Sequence, residues 1–291
     1  MLFRILRKRS WCGLQIILVH VDDSANVAAR IEIAATIAIA QEAHLTGAAV
    51  TGISRFIEEA VIADPYDPAI TPYLDTLRQR AAVRLDRFDG QAQRIGVHSF
   101  ERQLIDDGAN GGISLQARHS DQVVVGQNDP IGPALAVDAD LPEYVAMTSG
   151  TPVLVIPFAG KFPSVGMHVM IAWNGSREAR RAVQDAMPLL RAAQQVEVVV
   201  FNPAERSDLR SEEPHTNIIV YLRRQCIEAK LKVENVKHGA LGAALLSLAT
   251  ASSADLLVMG CYGHTRFREM LLGGVTRAVL TSMSAPVFMS H

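Results

Sequence analysis

Four glycines in the last quarter of the chain carry its clearest chemistry. They form two turns, Gly260-Cys-Tyr-Gly263 and, after nine intervening residues, Gly273-Gly274-Val275-Thr276. A glycine at a strand end lets main chain approach a ligand, because no Cβ stands in the way. A glycine pair at a helix start leaves N–H groups free to face an anion, and the helix dipole adds to that attraction. The pattern therefore describes a phosphate site split over two turns, with the Thr276 hydroxyl close at hand. It holds an anion and supplies no means of transforming one. There is no Walker lysine, nucleophile elbow or zinc-ligand spacing, so catalytic and metal residues are both expected to be none.

The elements that must position these turns are legible on either side. The apolar run Ala254-Asp-Leu-Leu-Val-Met259 reads as a buried strand, and Val275 to Met283 as a helix. The same order of elements occurs twice. First strands are Leu14 to Asp22 and Met167 to Asn174, each ending in a polar cluster, Asp22-Asp-Ser-Ala-Asn26 and Asn174-Gly-Ser-Arg-Glu178, suited to a helix N-terminus. Alanine-rich helices follow at 28–43 and 179–193. Second strands are Leu45–Thr51 and Val196–Phe201. Long helices are expected near 73–95 and 216–230, third strands at Ser99–Ile105 and Lys232–Lys237, and fourth strands at Asp121–Val125 and Asp255–Met259. The fifth strands, Thr151-Pro-Val-Leu-Val-Ile156 and Ala285-Pro-Val-Phe-Met-Ser290, are the plainest mark of duplication. Alternating strands and helices with short apolar strands imply parallel sheets covered on both faces.

Composition narrows the partners. Of 291 residues, 49% are hydrophobic and 20% charged, enough for two cored domains and against general disorder. A net charge of −2 and an aromatic content of 5% leave no footprint for nucleic acid. Cys12, Cys226 and Cys261 lack metal-ligand or disulfide spacing, as expected of reduced thiols in a cytoplasmic protein. No run reaches the length of a membrane span, so no integral insertion is expected. The expected divisions are a basic leader at 1–13, a first domain at 14–157, a linker at 158–165 and a second domain at 166–291. The proline-rich stretch Asp64–Pro72 reads as a loop over the sheet edge.

The duplicated pattern, together with the spacing G-x2-G-x9-G-G-V-T, resembles the tandem universal stress proteins, over nearly the whole chain from Gln15 to His291. The resemblance implies an α/β fold of two tandem open five-stranded parallel-sheet domains of strand order 3-2-1-4-5, like the adenine nucleotide alpha-hydrolases. It implies ATP or a related adenine nucleotide, with Mg2+ accompanying it, bound in the second domain. Phosphates would meet main chain at Gly263, Gly273, Gly274 and Val275, and the hydroxyl of Thr276. Gly260 would lie against the ribose, Ala172 and Asn174 would stand at the end of the first strand beside the nucleoside, and Val200 with Phe201 would flank the adenine. Asn174 replaces the family's acidic residue and Gly274 a hydroxyl residue. The family's domains pair through their fifth strands, so an intramolecular pseudo-dimer and a homodimer of chains are implied.

The first copy departs from this pattern. Its fourth strand leads into Gly126-Gln-Asn-Asp-Pro-Ile-Gly132, with Asp129 at the phosphate-facing position, and nothing like Gly-Gly-Val-Thr follows. Asp22 ends its first strand without the matching glycines, so an architectural role is expected. His20 and Asp22 share a strand face while Asp23 points away, which falls short of a metal site. His264, Arg266, Arg268 and Arg277 surround the second turn, and Cys261 lies within the first. The rival readings are a nucleotide-independent interaction module and a slow ATPase or nucleotidyl transferase.

Overall fold

The structure, a computed structural model, describes residues 13–53, 70–128, 140–202, 216–237, 239–262 and 274–291. Residues 1–12 of the basic leader, most of the proline-rich stretch and Asp129 lie outside these residues. In the first half the elements are β1 (Ile16–His20), α1 (Val27–Gln41), β2 (His44–Val50), α2 (Ile70–Ile95), β3 (Phe100–Ile105), α3 (Ala109–Ala117), β4 (Gln122–Gly126), α4 (Leu141–Thr148) and β5 (Val153–Ile156). The second half continues with β6 (His168–Ala172), α5 (Arg177–Asp185), α6 (Met187–Ala192), β7 (Gln195–Phe201), α7 (Thr216–Arg224), β8 (Ala229–Glu234), α8 (Leu241–Ala251), β9 (Leu256–Gly260), α9 (Gly274–Ser282) and β10 (Val287–Ser290).

The strands make one sheet of order β3-β2-β1-β4-β5-β10-β9-β6-β7-β8. Each half is thus a five-stranded parallel sheet of order 3-2-1-4-5. The halves do not end as separate open sheets: they join through an antiparallel pair of fifth strands, with Val153, Leu154 and Val155 opposite Met289, Phe288 and Val287. The inner strands β5, β9 and β10 are apolar almost throughout, because helices cover both faces. The outer strands alternate instead: Phe100-Glu-Arg-Gln-Leu-Ile105 and Ala229-Lys-Leu-Lys-Val-Glu234 place charges on the sheet's two edges, which discourages edge pairing.

Two layers of core run along the sheet. On one face α1, α2, α5, α6 and α7 bury Ile31, Phe88, Val183, Leu190 and Leu222 against Ile17, Val124, Leu154, Val258 and Phe288. On the other, α3, α4, α8 and α9 bury Ile113, Val145, Leu245 and Leu280 against Leu18, Val125, Val155, Leu257 and Met289. Neither layer stops at the β5–β10 seam, so the two halves share their interior.

Four expected elements differ. The helix expected over 179–193 is two, α5 and α6, because Pro188 in the first turn of α6 cannot donate to the preceding turn. The helix expected to reach Lys230 ends at Arg224. Cys226 takes a left-handed conformation (φ 63°), and Ile227 N–H closes onto Leu222 O at 3.0 Å. The third strand of the second half therefore starts at Ala229, earlier than Lys232. In the first half, α2 begins at Ile70 with Pro72 in its first turn, where a missing N–H costs nothing.

One carboxylate per half fixes the start of the central strands. Asp121, just before β4, accepts from Gln15 and Ile16 N–H at 2.8 and 2.9 Å. Asp255, just before β9, accepts from Gly166, Met167 and His168 N–H at 3.0, 3.2 and 2.9 Å and from the Ser164 hydroxyl at 2.8 Å. Charge-assisted bonds of this kind contribute more than neutral ones. Asp255→Ala is therefore expected to lower unfolding stability by about 2–3 kcal/mol, and Asp121→Ala by less, both read from urea midpoints. Equal losses would show that the additional bonds to Asp255 add nothing.

Candidate functional site

The second half places its candidate site at the reversal of strand order between β6 and β9, where open α/β sheets leave a crevice beyond the strand ends. Ala172, the last residue of β6, pairs with Met259 on one side and Val199 on the other. Beyond it the chain turns through Gly175 (φ 73°) into α5. The turn is closed by its own polar side chains. Asn174 Oδ1 accepts from Ser176 N–H at 3.0 Å, and Ser176 Oγ caps α5 by accepting from Ala179 N–H at 3.1 Å. Asn174 itself is exposed at the lip. Val200 is buried within β7, and Asn202 just past its end bonds both Val236 N–H (2.7 Å) and Val236 O (2.8 Å), closing β7 onto β8.

Gly260 ends β9 directly beneath the start of α5. A Cβ there would stand 2.4 Å from Ala179 N and 2.5 Å from Glu178 C. The absence of a side chain is thus demanded by helix-on-strand packing, a reason the spacing of the motif does not reveal. Gly263 and Gly273 lie outside the described residues, as do His264, Arg266 and Arg268. Gly274, Val275 and Thr276 form the first turn of α9. A Cβ on Gly274 would meet none of the described residues within 4 Å. No acidic residue stands in that turn itself, and Glu143 of α4 lies close enough to act on Arg277 beside it. Thr276 is buried and Arg277 exposed. Cys261 is a poor redox centre: its thiol is buried, bonds Ser290 O at 3.4 Å, and is pushed up to about 12 by burial.

The corresponding crevice of the first half is filled from within. Asp22, which follows the first strand without the matching glycine motif, holds the guanidinium of Arg30 at 2.7 and 3.1 Å and accepts from the Ser24 hydroxyl at 2.5 Å. Arg30 also reaches the Ser24 oxygen at 2.6 Å. It is 1% exposed and lies over Gly126, whose missing Cβ would stand 3.1 Å from the guanidinium carbon. The cation holds the Asp22 carboxyl well below the usual carboxylate range. Ala182 follows Asn174 by the same eight residues that separate Arg30 from Asp22, so no arginine stands at the matching position of the second half. Arg30 was legible only as a cation on the buried face of an otherwise alanine- and isoleucine-rich helix.

His20, the last residue of β1, is buried beside this pair. Its Nδ1 is 3.7 Å from Asp22 Oδ2, and neither ring nitrogen makes a hydrogen bond. Burial lowers its pKa from 6.5 to about 4, against the pull of Asp22 and together with Arg30 and Arg84. The unfolded chain takes up this proton below about 6.5 while the native state refuses it until about 4. Stability from this group is therefore complete above the higher value and falls as pH drops towards the lower. Between pH 7 and 4, wild type should lose on the order of 3 kcal/mol more than His20→Ala, measured by urea unfolding at each pH. Parallel curves would show that His20 does not resist protonation.

Comparison with known proteins agrees with this architecture. Residues 167–291 match the Universal stress protein family. No curated protein matches the chain. A universal stress protein from Archaeoglobus fulgidus DSM 4304 superposes over 94% of this chain and 97% of its own, with 17% identity and a TM-score of 0.70. A protein of unknown function from Pseudomonas aeruginosa PAO1 covers 95% of this chain and 92% of its own, at 15% identity and a TM-score of 0.61. A universal stress protein solved in complex with cAMP aligns with 50% of this chain and 99% of its own, at 21% identity and a TM-score of 0.36. The second half thus matches the Universal stress protein family, and the full length shares the fold of a solved universal stress protein.

Proposed function

We propose that the second half binds ATP or a related adenine nucleotide, and that the chain works as a cytoplasmic stress-response protein, a ligand-dependent switch or scaffold with little or no turnover. The observation that carries the reading is the first turn of α9. Among the described residues nothing crowds its main chain at Gly274, it contains no acidic residue of its own, and it follows β9 at the sheet's order reversal. Such a turn accepts phosphate oxygens on N–H groups. Asn174 at the lip offers both an acceptor and donors to a ribose or base. Among the described residues no three His, Cys, Asp or Glu side chains converge as a metal site. Mg2+ entering with the nucleotide would be held mainly by phosphate oxygens and water.

The same reading gives the chain one nucleotide site, because Arg30 fills the other crevice. It treats 14–157 and 166–291 as the two working units, with 158–165 between them, arranged as a pseudo-dimer about the fifth strands. Two chains would associate further. Among the described residues, no helix is long and apolar enough to cross a membrane. A bound nucleotide would favour whichever conformation holds it more tightly, and this differential affinity is what a switch requires.

Calorimetric titration should give one ATP per chain and phosphate release at background. Gly274→Asp provides the control. The added side chain has room, and an aspartate suits a helix N-terminus, so melting temperature should not fall. Its carboxylate would oppose the phosphates, and ATP affinity should drop by about tenfold or more. Absence of ATP binding by wild type, or unchanged binding by Gly274→Asp, would overturn the reading.

A further inference from the structure

The first half touches the helix that begins at the candidate site. Gln127 follows β4 directly and is 7% exposed. Its Nε2 donates across the seam to Leu280 O at 2.7 Å and Thr281 O at 3.2 Å, in the last turn of α9. Carbonyls at that position have no partner within a helix. Its Oε1 accepts from Phe158 N–H at 3.1 Å. The two sets of bonds fix the amide's orientation, because a flipped amide would set donor against donor and acceptor against acceptor. No basic residue stands in the last turn of α9, so Gln127 supplies the cap that a lysine or arginine could otherwise provide.

The geometry at the other end of α9 gives this contact a consequence. The seam is antiparallel, so the crevices of the two halves open at opposite rims of the sheet. Helix α9 starts at the rim of the second crevice and ends at the rim of the first. It spans nine residues, roughly 13 Å, a short and stiff rod. The guanidinium of Arg30 packs on Gly126, immediately before Gln127, so the plug of the first crevice backs the residue that caps α9. Cys261, one residue past Gly260 as Gln127 is one past Gly126, makes no such bond and instead meets Ser290 O, while the second half reaches across the seam with Arg181, which donates to Gly150 O just beyond α4.

We propose that Gln127 is a positioning residue for the nucleotide site of the second half. By holding the C-terminus of α9, it sets the height and tilt of the helix and therefore the placement of the N–H groups at Gly274, Val275 and Thr276. This rests on the nucleotide reading above for its ligand, though not for the contact itself. It also assigns the closed first half a task at a site it does not contain.

Gln127→Met keeps the length of the side chain and removes donor and acceptor together. The full chain and this variant are titrated with ATP and with adenosine, and amide exchange is followed over 275–282 without ligand. Exchange in α9 should quicken relative to α8, and ATP affinity should fall about tenfold. Adenosine affinity should stay unchanged, since adenosine has no phosphate to meet the helix. General loosening would weaken both ligands alike, so an unaltered ratio of ATP to adenosine affinity overturns the proposal, as does unaltered exchange in α9. Wild type binding neither ligand would overturn the nucleotide reading, and α9 exchange then decides the clamp by itself. Should Gln127→Met fail to fold, Gln127→Glu keeps the acceptor for Phe158 and loses the donor, and meets the same criteria.

Discussion

The antiparallel pairing of β5 with β10 is the constraint on which the remaining architecture depends. Three residue pairs join two parallel sheets into one, and the apolar faces of those strands carry both core layers from one half into the other. A parallel junction would have set both crevices on the same rim. The antiparallel one sets them apart and lays α9 across the interval. The contact of Gln127 with the end of α9, and the bond from Arg181 to Gly150 O at 2.8 Å, follow from that arrangement.

The halves share a plan and differ in what occupies it. Both end the fourth strand on a glycine, and in both the reason is a close neighbour. Gly126 accommodates an arginine side chain, and Gly260 the backbone of a helix start. The first arrangement inserts a cation and neutralises it with Asp22. The second draws α5 down onto the strand and leaves the polar lip at Asn174 exposed. One backbone geometry thus supports an interior that is closed by its own ion pair and another that presents polar groups outward. The closed half is no less ordered for it, since Asp22, Ser24 and Arg30 saturate one another.

Much of the fold was legible because its punctuation is chemical. Gly96 marks the end of α2 in the sequence, and the helix stops there with the glycine at φ 89°. The corresponding cap of α7 uses Cys226, a residue with no preference for that conformation, so the helix read too long and the next strand too late. Pro188 could be read as a break only against an alanine pattern that continued smoothly past it. The candidate site was half legible. The first turn of α9 was evident from Gly274-Val275-Thr276, while the reason for Gly260 was not, because it lies in a helix 82 residues earlier in the chain. Arg30 and Gln127 were invisible as functional candidates for the same cause. Their partners are fixed by the fold, and neither belongs to a local motif.

The covalent continuity of the seam has an evolutionary corollary. In an assembly of two identical chains, every substitution appears on both sides of the axis, so a residue that seals one crevice seals its twin. Here the two sides are separate stretches of one chain, and position 30 can carry arginine while position 182 carries alanine. Fusion of the copies releases each from the other's requirements. It also keeps the association intact at any dilution, so one copy is free to specialise in supporting its neighbour.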